Sequence, residues 1–313
     1  MQIVDIKHSM DRAQFPDLDA LQTRYGWDQR NHKIFDRLFH LKSTSLHDNM
    51  TLHEALEYSA QQLVDANPEL SGNVDLIVYC HAVNDVMPFS TTALEDIAHS
   101  VFDSDGAETM SITMGSCSSA IMAMQWVAGM GDAYENVVVL TGEKCFFRLL
   151  DYAENNGLFG ETTSATYLRP NSKQGLQVDV TRSGAFKDVY ELLGLASKEV
   201  LADYDRAFIP TMTDLVTNTL SDAGLSPDDV NVVLPTHLSP FTFNRISTIV
   251  GIGGGRVLKQ NLDKIGHCYC GDLFINTSTW LSGAAQSDQP QRVLSFAAGM
   301  TGSYAAVIIS KDT

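Results

Sequence analysis

At 313 residues the chain is about twice the commonest single-domain length, which excludes a small stapled scaffold and leaves two domains or one large doubled fold. Hydrophobic residues make up 44% and charged residues 19%, so a sizeable core can be buried and disorder is excluded. Lys and Arg number 21 against 38 Asp and Glu, a net charge of −17 that argues against a protein whose work is coating nucleic acid or an anionic membrane. The five cysteines are scattered without the density of a disulfide framework, so free thiols are expected. The first fifteen residues lack the apolar stretch of a signal peptide, and no window reaches the roughly 18 apolar residues of a membrane span. A soluble, cytoplasmic protein is expected.

In chain order, residues 51–66 place Leu52, Ala55, Leu56, Ser59, Leu63 and Val64 on one helical face; Asn67-Pro68 stops the helix and a buried strand follows to Cys80. Thr92 with Glu95 reads as a capping box opening a helix through Phe102. A helix over 118–130 and a strand over 136–141 come next, then a strand over 177–180. Residues 208–223 read as a helix closed by Gly224, followed by the turn Ser226-Pro227-Asp228-Asp229 and an apolar run to Leu234. Strands over 292–296 and 304–310 complete the set. Continuous apolar strands between helices imply a sheet covered on both faces, hence α/β layers.

Val74-Asp75-Leu76-Ile77-Val78-Tyr79-Cys80-His81 matches Val230-Asn231-Val232-Val233-Leu234-Pro235-Thr236-His237, each residue 156 further on. An offset of half the chain favours an internal duplication. With no linker between them, a first half over 1–170 and a second over 171–313 should pack closely.

Met114-Gly115-Ser116-Cys117-Ser118-Ser119-Ala120 puts a cysteine between a short strand and an apolar helix. The free amides and dipole at a helix N-terminus favour a thiolate, so Cys117 is a candidate nucleophile, although a small buried hydrophobe is the plainer reading. His237 ends the second copy of the repeated strand, where side chains commonly project into a crevice. Asp272 could orient an imidazole or make a turn bond, and Asn276 could cap a helix. His267, Cys268 and Cys270 have ligand chemistry but lack a fourth ligand and the usual zinc spacing, so no metal is expected.

Cys117 in one half with His237 and Asp272 in the other resembles the ketosynthase III-like, thiolase-fold family, the beta-ketoacyl-acyl-carrier-protein synthase III-like enzymes. Arg24-Tyr25-Gly26-Trp27-Asp28-Gln29-Arg30 resembles the family's Arg-Thr-Gly-Ile-x-x-Arg, and Met114 to Ala120 its nucleophile turn. Leu158-Phe159-Gly160 resembles the end of its first half, the segment from Asn231 to Arg245 its histidine segment, and Phe296-Ala297-Ala298-Gly299-Met300-Thr301-Gly302 its terminal glycine-rich turn. The resemblance implies a duplicated αβαβα thiolase architecture. The chain departs from the family at Glu161-Thr162-Thr163, which stands for Asp-Gly-Ala-Gly, and at Ala297 and Ala298, which stand for glycines. His267 also occupies the place of the family's asparagine, thirty residues after His237, so the usual Cys-His-Asn set is altered. Asp272, thirty-five after His237, resembles the aspartate of a divergent acyltransferase branch using Cys-His-Asp; Asn276 is alternatively the family asparagine displaced by an insertion.

By this resemblance Cys117 takes an acyl group from an acyl carrier protein or coenzyme A thioester, and His237 with Asp272 is the general-base pair that passes it to a hydroxyl, an amine or a carbon nucleophile. His267 and Asn276 are further catalytic or orienting candidates. Amides of Cys117 and Ala298 form the oxyanion hole, Met87 and Phe89 belong to a homodimer-contact loop or acyl pocket, and Arg245, Arg256 and Lys259 are carrier-binding candidates, with no permanently bound cofactor. A carboxylate on an imidazole suits general-base acyl transfer, whereas condensation needs neutral donors around a developing enolate. Two alternatives stay open: a condensing enzyme forming a carbon–carbon bond, and a non-catalytic partner subunit of a ketosynthase-like heterodimer.

Overall fold

A computed structural model describes residues 1–82, 92–144, 152–153, 157–186, 197–284 and 289–311. The chain opens on strand β1 (Gln2–His8), then helices α1 (Leu18–Tyr25) and α2 (Gln29–Lys33), whose N-terminal amides are capped by the Asp17 and Asp28 side chains. Helix α3 (Leu52–Ala66) starts at a capping box made by Thr51 and Glu54 and buries its Leu52, Leu56, Ala60 and Leu63 stripe against the sheet. Strand β2 (Leu76–Cys80) follows, then α4 (Ala93–Ser100), β3 (Glu108–Ile112), α5 (Ser119–Gly129) and β4 (Val137–Thr141). The capping box read at Thr92 is absent: its hydroxyl donates to Asp96 instead of closing on the helix amides.

A two-residue pair, β5 (Tyr152–Ala153) and β6 (Gly157–Leu158), precedes β7 (Ser164–Arg169) and β8 (Leu176–Ala185). Helix α6 (Lys198–Asp222) begins ten residues before the periodicity suggested, because Tyr204 and Phe208 on its first turns pack on Phe186, and it runs through Pro210 without ending. Strand β9 (Val232–Leu234), α7 (Pro240–Val250), α8 (Asp272–Ala284), β10 (Gln291–Ala298) and β11 (Ser303–Lys311) complete the chain.

Nine strands form one sheet in the order β3-β2-β4-β7-β1-β8-β11-β10-β9. Strands β2 and β4 are parallel, β4 and β7 antiparallel, and β7 and β1 antiparallel; β9 and β10, β10 and β11, and β11 and β8 repeat that pattern in the same succession. The two sets meet where Gln2 and Ile3 of β1 pair with Gln177 and Leu176 of β8. Helices α5 and α8 pack into the central core shared by both sets, alongside Val78, Val139, Leu168, Val293 and Val307. Helices α3 and α4 cover the outer face of the first set, and α6 and α7 the outer face of the second. The α/β layering, the doubled architecture and the strand-matching offset therefore coincide.

Candidate active site

Two similar turns face each other at the centre. Residues Ser116–Ser118 form a 3-10 turn running into α5, and Tyr269–Gly271 form one running into α8. Each contains a non-glycine residue in the left-handed region, Ser116 at φ 47° and Tyr269 at φ 53°, a conformation that over-determined surroundings must hold. The surroundings are visible: the Cys270 thiol lies 3.1 Å from the Ser116 carbonyl, and the hydroxyls of Ser118 and Ser303 each donate to the Gly115 carbonyl at 2.6 Å. Gly299 closes on the same turn, since a Cβ there would meet the Gly115 carbonyl and the Ser116 side chain.

Cys117 sits at the head of α5, 6% exposed, in an apolar cage with Ala82, Phe159 and Tyr269 and with Leu238 against it. Its Sγ is 3.2 Å from Nε2 of His267. The other ring nitrogen of His267, Nδ1, lies 2.5 Å from Oδ2 of Asp272, the first residue of α8. Phe159 and Tyr269 stack at 4.9 Å and both lie against the His267 ring. The backbone of His267 is bracketed by the preceding half: its N–H donates to the Leu158 carbonyl at 2.7 Å and its carbonyl accepts from Gly160 N–H at 2.9 Å.

Burial alone would lower the pKa of His267, but the Asp272 carboxylate and the Cys117 thiol outweigh it and raise it to about 10. Burial alone would raise that of Asp272; the His237 and His267 imidazoles and the donors on its oxygens hold it below the usual carboxylate value. The α8 N-terminus favours the same ionised form. Burial pushes the thiols of Cys80, Cys268 and Cys270 upward, which keeps them protonated and inert near neutrality.

The sequence reading expected His237 beside the nucleophile; the imidazole that meets Cys117 is His267. His237 is buried three residues beyond the end of β9, with Nδ1 on the Gly266 carbonyl at 2.7 Å and Nε2 3.0 Å from Oδ1 of Asn276. Asp272 does join the two histidines, accepting from His237 N–H at 2.7 Å and lying 3.4 Å from its Nδ1. Asn276 is in the second turn of α8 and so is no helix cap.

Neither a family model nor a curated relative matches the chain by sequence. Solved structures do match it over nearly their whole length. The acyltransferase ChlB3 superposes with a TM-score of 0.81 at 12% identity, covering 100% of this chain and 98% of that one. The 3-oxoacyl-[acyl-carrier-protein] synthase III of Aquifex aeolicus VF5 gives 0.81 at 17%, covering 99% of each chain. The tetronic acid condensing enzyme AbyA1 gives 0.76 at 17%, covering 98% and 99%. The chain has the thiolase fold of the ketosynthase III-like enzymes.

In this thiolase-fold chain the remaining expected residues are dispersed. Ala298 ends β10, paired with Tyr304, one residue before the Gly299 turn that abuts Gly115. Arg245 is exposed on α7 and Lys259 is exposed beyond it. Arg256 is committed elsewhere: its guanidinium donates to the carbonyls of Pro227, Asp228 and Val230 and ties that turn down. Met87 and Phe89 lie outside the described residues, as does Cys145. Cys268 and Cys270 point to different places, the first toward Ser45 and the second toward Ser116, and among the described residues no group of three or more His, Cys, Asp or Glu could hold a metal ion. Among the described residues, no helix is long and apolar enough to cross a membrane. The aromatic pair Phe159 and Tyr269 went unread; Phe159 lay within a matched motif, but nothing in the sequence signals that it stacks on Tyr269 from the other half.

Proposed function

We propose that the protein is a cytoplasmic acyltransferase that moves an acyl group from an acyl carrier protein or coenzyme A thioester, through an acyl-Cys117 intermediate, to a hydroxyl or amine acceptor. The observation that carries the reading is the continuous line from the Cys117 thiol to His267 at 3.2 Å and on to Asp272 at 2.5 Å. In the first step the proton of the Cys117–His267 pair rests on Nε2 of His267, as the raised pKa of the imidazole favours, and the sulfur attacks the thioester carbonyl as thiolate. The carbon–sulfur bond to the enzyme forms, the donor's carbon–sulfur bond breaks, and the departing thiolate takes the proton back from His267. In the second step the acceptor gives its proton to His267 and attacks the acyl-enzyme, and Cys117 leaves as thiolate. Asp272 stays ionised throughout, holding the ring and stabilising the imidazolium. Amides of Cys117 and Ala298 serve as the oxyanion hole.

The carboxylate behind the imidazole is what favours a heteroatom acceptor over condensation, because it opposes a developing enolate and assists a developing imidazolium. His237 and Asn276, which could have supplied two neutral donors, have their side chains turned to each other. Condensation, with a carbon nucleophile as acceptor, remains the second reading, supported by the likeness to a tetronic acid condensing enzyme. Docking of an acidic carrier on so acidic a chain would use exposed cations such as Arg245 and Lys259, and the active form would be a homodimer.

The test is intact-protein mass spectrometry after incubation with a panel of acyl thioesters on both carriers, followed by candidate acceptors. A single acyl adduct that vanishes in Cys117→Ala and discharges onto an alcohol or amine is the expected result. Carbon dioxide release from a malonyl donor establishes condensation instead, and no adduct with any donor points to a non-catalytic partner subunit.

A further inference from the structure

We propose that His237 is a positioning residue, which fixes the Asp272 carboxylate and the peptide beside His267 and exchanges no proton with Cys117. This rests on the acyl-transfer reading above, with His267 as the base. The position is the one where the sequence placed the base itself, so its change of task needs a physical account.

Asp272 is the last member of the relay, and its two oxygens meet more donors than the relay alone supplies. Oδ2 accepts from Nδ1 of His267 at 2.5 Å and from the backbone N–H of His237 at 2.7 Å; Oδ1 accepts from Cys268 N–H at 2.7 Å and faces Nδ1 of His237 at 3.4 Å. Donors on both oxygens leave the carboxylate no free rotation, and one of them is the backbone N–H of His237, on the segment that follows β9.

The ring of His237 works on the other flank. A carbonyl can only accept, so Nδ1 donates to the Gly266 carbonyl at 2.7 Å, the peptide immediately before His267. Gly266 is at φ 71°, where a Cβ would meet Thr44 and the Leu158 carbonyl, so the conformation that delivers His267 to Cys117 depends on glycine and is pinned by this bond. On the far side, Nε2 faces Oδ1 of Asn276. The amide cannot usefully turn over, because its Nδ2 donates to the Pro235 carbonyl at 2.8 Å and its Oδ1 also accepts from Asn261 at 3.0 Å. The ring of His237 therefore links residues 266 and 276, and through the Asn276 amide it reaches the Pro235 carbonyl. The titratable groups around this brace are Asp272, His267, Cys268 and, beyond His267, Cys117.

The experiment compares His237→Asn with His237→Ala in the full-length protein. The asparagine amide can reach the Gly266 carbonyl in place of Nδ1; the alanine cannot. His237→Ala should lose about 30- to 100-fold in kcat for acyl transfer with KM for the donor unchanged, and His237→Asn should stay within about fivefold of wild type. The low-field proton resonance of His267 Nδ1–H gives a readout that general loosening would not move: it should titrate at about 10 in wild type and His237→Asn, and about one pH unit lower in His237→Ala. An Asn variant as inactive as Cys117→Ala, or an Ala variant with wild-type rate and an unmoved resonance, overturns the proposal. Failure of the underlying reading looks different: the low-field resonance survives His267→Asn, or wild-type protein carries no acyl group on Cys117.

Discussion

The turn into α5 and the turn into α8 have the same build, a 3-10 segment with one strained non-glycine residue at the head of a central helix, yet they carry different chemistry. The first presents Cys117 to a cage; the second buries its own cysteine, Cys270, against the Ser116 carbonyl and places Asp272 at the first position of the helix. The same helix-end field that favours a thiolate on one side favours a carboxylate on the other. One scaffold, used twice, thus supplies the thiol and the carboxylate between which a single imidazole, His267, is held.

That division can be broken at its ends. Cys117→Ala should remove acyl transfer by at least about 10⁴-fold, whereas Cys270→Ala, which only loses a contact to the turn, should retain most activity; single-turnover assays separate the two. Asp272→Asn should cost about 10³- to 10⁴-fold in kcat by favouring the wrong tautomer of His267, with donor KM little changed. Phe159→Ala should destabilise the fold by about 3–5 kcal/mol, measurable by denaturant unfolding, because it empties one side of the cage.

A smaller effect follows from charge. The raised His267 pKa means that folding takes up a proton: this contribution is fully present below about 6.5 and is lost as pH rises through about 10. The lowered Asp272 pKa contributes above the ordinary carboxylate value of 3.8 and is lost as pH falls through its folded value. Wild-type thermal stability should therefore decline between pH 7 and 10, and His267→Asn should flatten that decline. Identical slopes in calorimetric melts would show that His267 is not held as imidazolium. The smallest change is expected at the surface, where Lys259→Glu should raise KM for a carrier-protein donor a few-fold and leave a coenzyme A donor unaffected, in steady-state assays at low salt.

Much of this fold was legible. Apolar runs at Val74 and Val230 with matching partners gave two strands at equivalent places, and the stripe on α3 gave the covering helix. Strand β7 was not legible, because Ser164, Thr166 and Tyr167 are buried residues with hydroxyls, and those of Ser164 and Tyr167 meet their partners Thr141 and Asn136 only in the assembled sheet. In the site, Cys117 and Asp272 are both singled out by the sequence and lie on one line of contacts through His267, but which histidine stands between them was not readable. His237 and His267 both reach Asp272, one through its backbone and one through its ring, and the ring turned to the thiol is the one that follows the left-handed Gly266 and is bracketed by Leu158 and Gly160. Spacing along a chain carries no information of that kind.

The clasp on the turn that carries Cys117 also sets a timetable. Ser303 reaches Gly115 across 188 positions of sequence and His267 reaches Cys117 across 150, so nothing within the first half can complete the turn by itself. Contacts this distant form late in folding. While the ribosome is still making residues 299–303, the turn that carries Cys117 lacks the Ser303 side of its clasp, so its strained geometry is completed only when synthesis has passed that point.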